Sequence, residues 1–184
     1  METSLTWLGR LASAPSDPDW ARLVDGYGPL LRGWLARTGV PPTDRDDVVQ
    51  EVLIVVVRRV AEFEHRGPGA FRAWLRGVVV LQARKYFRTR RSNPAVDLDA
   101  LASEDSAASR LWDREHDEYH AARAMRVVEG DFAPATWAAF RRQVIDGLPP
   151  ADAAAELGLT VNAVVLAKSR VLKRLRQELR GLLE

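Results

Sequence analysis

Apolar residues recur at three- and four-residue steps along almost every patterned stretch of this chain. That period lets one face of a helix be buried, whereas a half-buried strand would alternate every second residue. Trp20, Leu23, Val24, Tyr27, Leu30, Leu31, Trp34 and Leu35 keep the period through a first helix. Asp17 before Pro18 suits its start, with an oxygen cap and a proline in the first turn. A second helix is predicted from near Thr43, where Thr43 and Asp46 have capping-box spacing. Asp44, Asp46 and Asp47 also put negative charge at the positive end of its dipole. The run Val52 to Val57 has strand propensity taken alone. Apolar positions 48, 49, 52, 53, 56, 60 and 63 nevertheless carry the helical phase through it, and no turn residue bounds it. These apolar residues spill beyond one face, so the helix is expected to be buried on two sides or to offer a surface to a partner.

His65-Arg66-Gly67-Pro68-Gly69 is a break. A third helix follows, with Phe71, Trp74, Leu75, Val78, Val79, Gln82 and Tyr86 on one face and a basic cluster, Arg84, Lys85, Arg88, Arg90 and Arg91, at its end. Asn93 to Ser109 has no periodicity and is rich in Ala, Ser and Asp, the composition of a flexible acidic linker. Trp112 to Val128 is weakly helical. The last fifty or so residues hold three further helical stretches, roughly Pro134–Asp146, Pro149–Leu157, and Val161 to near Leu182. The fold class read from this pattern is all-α. It has two small helical domains, 1–92 and 113–184, joined by a flexible linker over 93–112.

Composition narrows the function classes. Of 184 residues, 47% are hydrophobic, enough for real cores, and 28% are charged, which argues against a membrane protein and against wholesale disorder. There is no cysteine, so disulfides and cysteine-ligated zinc are excluded. Met1 to Arg10 lacks a basic segment followed by an apolar run, and the longest apolar run, Val52 to Val57, is far below the ~18 residues of a membrane span. No signal peptide and no membrane association are expected, and a cytoplasmic location is. Residues 1–92 hold 15 Lys/Arg against 10 Asp/Glu, residues 93–133 hold 4 against 10, and residues 134–184 hold 8 against 5. Two basic blocks thus flank an acidic middle, as expected for a chain that meets a polyanion such as nucleic acid.

The tail is laid out as a helix-turn-helix. Pro149 and Pro150 suit a first turn. Ala151, Ala153, Ala154 and Ala155 provide small side chains where two helices approach. Gly158 can take the left-handed conformation that ends the short helix. Leu159 then packs inward and Thr160 caps the next helix. That helix carries Val161, Val164, Val171, Leu172, Leu175 and Leu179 for a core. Its other faces carry Asn162, Lys168, Ser169, Arg170, Lys173, Arg174 and Arg176. Such a helix fits the major groove of DNA, with early residues near base edges and later cations near phosphates.

Three motifs in order carry a family resemblance. Asp46-Asp47-Val48-Val49-Gln50-Glu51-Val52 resembles the D-x-V-Q-E signature of sigma region 2. Phe71-Arg72-Ala73-Trp74-Leu75 resembles the F-R-x-W-L segment that follows it. Ala153 to Arg176 is similar to sigma region 4, with its A-x-x-L-G-x-[ST]-V turn. Together they resemble the extracytoplasmic-function (ECF) subfamily of sigma-70 RNA polymerase sigma factors, over nearly the whole chain apart from the first dozen residues and the linker. The resemblance implies a first domain that binds core polymerase and the −10 promoter element, and a last domain that binds the −35 element. Docking on a coiled coil of the largest catalytic subunit would fall to Asp46, Asp47, Val49, Gln50, Glu51 and Leu53. Opening of the −10 element would involve the loop from Phe63 to Phe71, with His65 and Arg66, and the cations Arg72, Arg84, Lys85 and Arg88. Contacts to the −35 element would come from Thr160, Asn162, Val165, Leu166, Ser169, Arg170, Lys173 and Arg174. Core polymerase (coiled coil and flap) and promoter DNA are the implied partners. Many such factors are also held by an anti-sigma protein, which the resemblance adds as a candidate.

The chain departs from the family twice. Val78-Val79-Val80-Leu81-Gln82 stands where a polar stretch with Arg and Asn is usual, and Ala163-Val164-Val165-Leu166-Ala167 stands where T-V-K-S-R is frequent. Two of the implied base-facing positions, Val165 and Leu166, are therefore apolar and make no bidentate hydrogen bond. His116 and His120, four apart beside Asp113 and Asp117, have a spacing that can bind a metal from one helix face. They are read instead as surface histidines of an acidic helix, and neither metal nor cofactor is expected. No Ser/His/Asp or Gly-rich phosphate motif occurs, so no enzyme and no small-molecule substrate is expected. The alternatives are a stand-alone helix-turn-helix regulator and a helical adaptor whose basic faces are simply solvated.

Overall fold

The computed structural model describes residues 16–64, 67 and 69–179, together with Gly9, Leu11 and Ser13. Among these residues there is no strand; the all-α class read from the period of three and four is the observed one. The chain divides into two compact units between His120 and Ala121.

The first unit is built on α1 (Asp17–Thr38), α2 (Pro42–Arg59) and α3 (Ala70–Arg90), with a 3-10 turn, Val60–Glu62, closing α2. Helix α1 is capped one residue earlier than the sequence implied. Ser16 is the N-cap, and the Asp19 carboxylate accepts from the Ser16 backbone N–H at 3.1 Å and from its hydroxyl at 2.6 Å. The Thr43 box predicted for α2 does not form. The helix already starts at Pro42, and the Thr43 hydroxyl turns to Asp44 at 2.9 Å. A proline in the first turn loses no backbone bond there, so it makes the later cap redundant.

Helix α2 packs against both α1 and α3. Val52 and Val56 are fully buried, and Val48, Val49, Leu53 and Val60 nearly so. Each buried valine of this kind contributes about 1.5–2 kcal/mol, and the packed face runs at helical, not strand, spacing. The turn after α1 needs glycine on two counts. Gly39 has φ 93°, and a Cβ there would stand 3.1 Å from the Ala95 methyl. That close approach comes from the Ala95 N–H, which donates to the Thr38 carbonyl at 2.7 Å and fastens the chain beyond α3 onto the end of α1.

Residues 93–112, expected to be a flexible linker, are instead structured and packed on the first unit. Asp97 caps a short helix, α4 (Leu98–Ala102), by accepting from the N–H groups of Asp99 at 2.8 Å and Ala100 at 3.1 Å. Leu98 and Leu101 enter the same core as α1–α3. So does Trp112, from the long helix α5 (Ala107–Glu129). Two leucines and a tryptophan in a polar stretch are too sparse to give a period, yet enough to hold the segment down. The histidines of α5 are not on the surface either. His116 is 1% exposed and His120 0%, and their rings lie 5.9 Å and 4.8 Å from the ring of Tyr27.

The second unit contains the end of α5, α6 (Pro134–Phe140), a π-helical turn (Arg141–Ile145), α7 (Pro150–Leu157) and α8 (Val161–Leu179). Ala124, Val128, Trp137, Phe140, Val171 and Leu175 form one core cluster. Ala139, Ala153, Ala154, Val164 and Ala167 form another. The turn between α7 and α8 has the predicted chemistry. Gly158 sits at φ 64°, and the Thr160 hydroxyl accepts from the Ala163 N–H at 3.1 Å.

Candidate functional site

Helix α2 separates the residues expected to dock on polymerase into two sets. Asp46, Asp47, Gln50 and Glu51 are exposed. Val49 and Leu53 are 3% and 9% exposed and belong to the core of the first unit. They hold the helix in place and have no outward surface to give a partner. The apolar outward surface is supplied by Ile54 and Val57, 48% and 38% exposed, which the motif does not single out. The surplus apolar side of this helix was the signal for them. Gln50 and Glu51 stand three and four residues after Asp47, Ile54 four and three after them, and Val57 three after Ile54, so these residues line one side of α2. Two carboxylates are already partnered. Asp46 receives Arg32 Nε at 2.5 Å, and Glu51 receives Lys85 Nζ at 2.8 Å.

A cleft of about 860 Å³ opens beside the start of α3, lined by Glu62, Phe63, Glu64, Gly69, Arg72, Trp74, Arg76 and Asp113, among others. Phe63, Phe71 and Trp74 cluster there with ring centroids 5.5–5.7 Å apart. Phe71 is buried, while Phe63 and Trp74 are half-buried and show part of their rings to the cleft. His65 and Arg66 lie outside the described residues.

The cations of α3 are less available than their number implies. Arg72 is engaged by two carboxylates of α5, Asp113 at 3.1 Å and Asp117 at 2.6 Å, and its side chain is only 22% exposed. Arg84 pairs with Asp99 of α4, and Lys85 with Glu51 of α2. Arg88 is exposed and makes no ion pair among the described residues. Near the helix end, Asp44 accepts from the Tyr86 hydroxyl at 2.8 Å and pairs with Arg90 at 2.8 Å. The bond from Tyr86, then that from Thr43, holds the Asp44 carboxyl below its ordinary value.

On α8, Asn162, Val165, Leu166, Ser169, Arg170 and Lys173 are all exposed, and so is Thr160 just ahead of them. Arg174 is not free in the same way. Its guanidinium is held by Asp131 at 2.8 Å and Glu178 at 3.0 Å, and the Glu178 hydrogen bond is the first cause of its raised pKa. The bond to Asp131 braces α8 against the turn that follows α5. Lys168, Arg170, Lys173 and Arg176 are exposed and make no ion pair among the described residues. The π-helical turn that precedes α7 is tied to it by Arg142, which reaches Glu156 at 2.5 Å.

Among the described residues no group of three or more histidine or acidic side chains is placed to hold a metal ion, and no single helix is long and apolar enough to cross a membrane.

Comparison with known proteins bears on the first unit. Residues 23–93 match the family model of sigma-70 region 2. A similar solved structure is that of CnrH in complex with the cytosolic domain of CnrY, with 25% sequence identity, 97% of each chain covered and a TM-score of 0.41. No curated protein matches the sequence. The region 2 match runs from the packed face of α1 to just past the end of α3, and over those residues the chain is similar to sigma-70 region 2.

Proposed function

We propose that the chain is an ECF-type sigma factor that binds core RNA polymerase, brings it to particular promoters and helps to open them. The observation that carries this reading is the pairing, in one chain, of a region 2 segment at residues 23–93 with a helix-turn-helix whose glycine turn and threonine cap present a cationic helix. The outward side of α2, from Asp47 to Val57, is the proposed polymerase contact. An acidic start with exposed aliphatic side chains suits docking onto a partner helix. The cleft beside Phe63 and Trp74 is the proposed site for an unstacked base of the −10 element. Stacking on an aromatic ring returns ~1–3 kcal/mol per base against the few kcal/mol that unstacking requires. Helix α8 is the proposed reader of the −35 element, and an anti-sigma protein is a proposed additional partner.

The test is reconstitution with core polymerase and a library of genomic promoters, with the transcripts mapped. The expected result is chain-dependent initiation at a defined promoter set. Tight binding of duplex DNA by the chain alone, with no association with polymerase, would instead identify a stand-alone regulator.

A further inference from the structure

The outward side of α8 combines two properties that are seldom neighbours. Lys168, Arg170 and Lys173 are exposed and unpaired among the described residues. Between them and the start of the helix lie Val161, Val165 and Leu166, 48%, 45% and 43% exposed. The inward side of the same helix is filled by Val164, Ala167 and Val171, 0–4% exposed, so the outer aliphatic residues are not spare core. Asn162, Val165, Leu166 and Ser169 are three, four and seven residues apart and share one side.

Charge decides what can cover that side. A partner surface as apolar as valine and leucine would have to bring anions for the flanking cations. Duplex DNA carries them at regular spacing on both walls of the groove. Within the groove, thymine alone among the unmodified bases presents a methyl group. The guanine, cytosine and adenine edges present only hydrogen-bonding groups. Valine and leucine gain contact with a methyl, and they leave a buried N7, O6 or amino group without a partner. The same two side chains therefore attract one base and penalise the others.

Resting on the reading of α8 as the DNA-contacting helix, we propose that Val165 and Leu166 select thymine-bearing steps of the −35 element through the thymine C5-methyl group, in place of hydrogen-bonded base recognition. Asn162 and Ser169, on either side, supply the hydrogen bonds that fix register, and the three cations hold the backbone.

The experiment uses the holoenzyme, the chain bound to core polymerase, and a duplex chosen by selection from a pool randomised in the −35 segment. That duplex is then synthesised with uracil in place of thymine in this segment alone, which removes methyl groups and leaves every hydrogen-bonding group of the base pairs in place. Selected duplexes rich in thymine there, binding weakened about fourfold for each contacted methyl removed, and loss of that difference in the Val165→Ser/Leu166→Ser variant are the expected results. Equal affinity for the thymine and uracil duplexes, with Lys173→Ala still weakening both, would overturn methyl selection and leave α8 on the DNA. If Lys173→Ala and the double serine variant both bind as the parent does, the placement of α8 on DNA fails and the proposal with it.

Discussion

One carboxylate oxygen of Asp113 lies 3.0 Å from the guanidinium of Arg76, a side chain only 5% exposed. The same oxygen stands 3.1 Å from Arg72 Nε. Asp113 thus neutralises two cations of α3 from the opposing helix α5. Asp113→Ala leaves the nearly buried Arg76 without its partner, which costs roughly 2–4 kcal/mol of stability, while Arg72 retains Asp117. Urea unfolding of the full chain measures this. A loss smaller than that of a surface substitution would show that Arg76 finds water or another acceptor.

His116 gives the first unit an acid limit. Burial, the first cause, pushes its pKa down from 6.5 to about 4, against the hydrogen bond it donates to the Asp117 carboxylate, which acts in the other direction. The unfolded chain therefore takes up this proton first as the pH falls. The stabilisation is complete above about 6.5, erodes between there and about 4, and is gone below, a total of about 3 kcal/mol. Urea midpoints followed from neutral to mildly acid pH should fall in the parent chain and fall less steeply in His116→Gln. Parallel slopes would place the titration on another group.

The turn ahead of α8 offers two graded substitutions. Thr160→Ala removes the acceptor for the Ala163 N–H and is expected to cost ~1 kcal/mol. Gly158→Val forces a β-branched side chain into φ 64° and is expected to cost more, about 2 kcal/mol. Both should lower DNA affinity further than stability alone explains, because the start of α8 carries Asn162 and Val165. Thermal unfolding together with promoter binding by the holoenzyme separates the two effects.

Docking through α2 makes its own demand. Asp47→Lys and Ile54→Ser change exposed side chains and should leave the unfolding midpoint within about 0.5 kcal/mol of the parent. Each should weaken binding to core polymerase, by about tenfold for the charge reversal. Val49→Ala, by contrast, should lower stability by about 1–2 kcal/mol through the cavity it leaves. A competition assay against a known sigma factor measures the affinities. Unchanged values for both surface variants would dismiss this side of α2 as the contact.

Much of this fold is legible in the residues. The phase of 48, 49, 52, 53 and 56 overrides the strand propensity of a run of valines, because a helix buried between two others offers the same apolar environment a strand would. Gly158 and Thr160 announce the turn through backbone geometry and hydrogen bonding that few other residues supply. What was hidden is of two kinds. Along α5, Ser109, Trp112, His116 and His120 are all buried, but three of the four are polar types, so a period counted on apolar residues passes over them. The availability of cations was hidden as well. Arg72, Arg84 and Arg174 are DNA contacts by the family resemblance, yet their carboxylate partners come from Asp117, Asp99 and Asp131, on elements whose approach no local pattern encodes. Val49 and Leu53 lie within a motif associated with binding, yet helical phase alone points them inward.

The alanines at 139, 153, 154 and 167 meet where α6, α7 and α8 converge. With methyl groups as spacers, the backbones themselves set how closely these helices lie, and no longer side chain there can shrink by changing rotamer. Mutational drift is therefore channelled. Enlarging any of the four would swing the whole outer side of α8 as a rigid plate, whereas exchanges at 162, 165, 166 and 169 leave the scaffold undisturbed. The outer side of α8 can thus change one surface position at a time, while the small residues beneath it stay closed to variation.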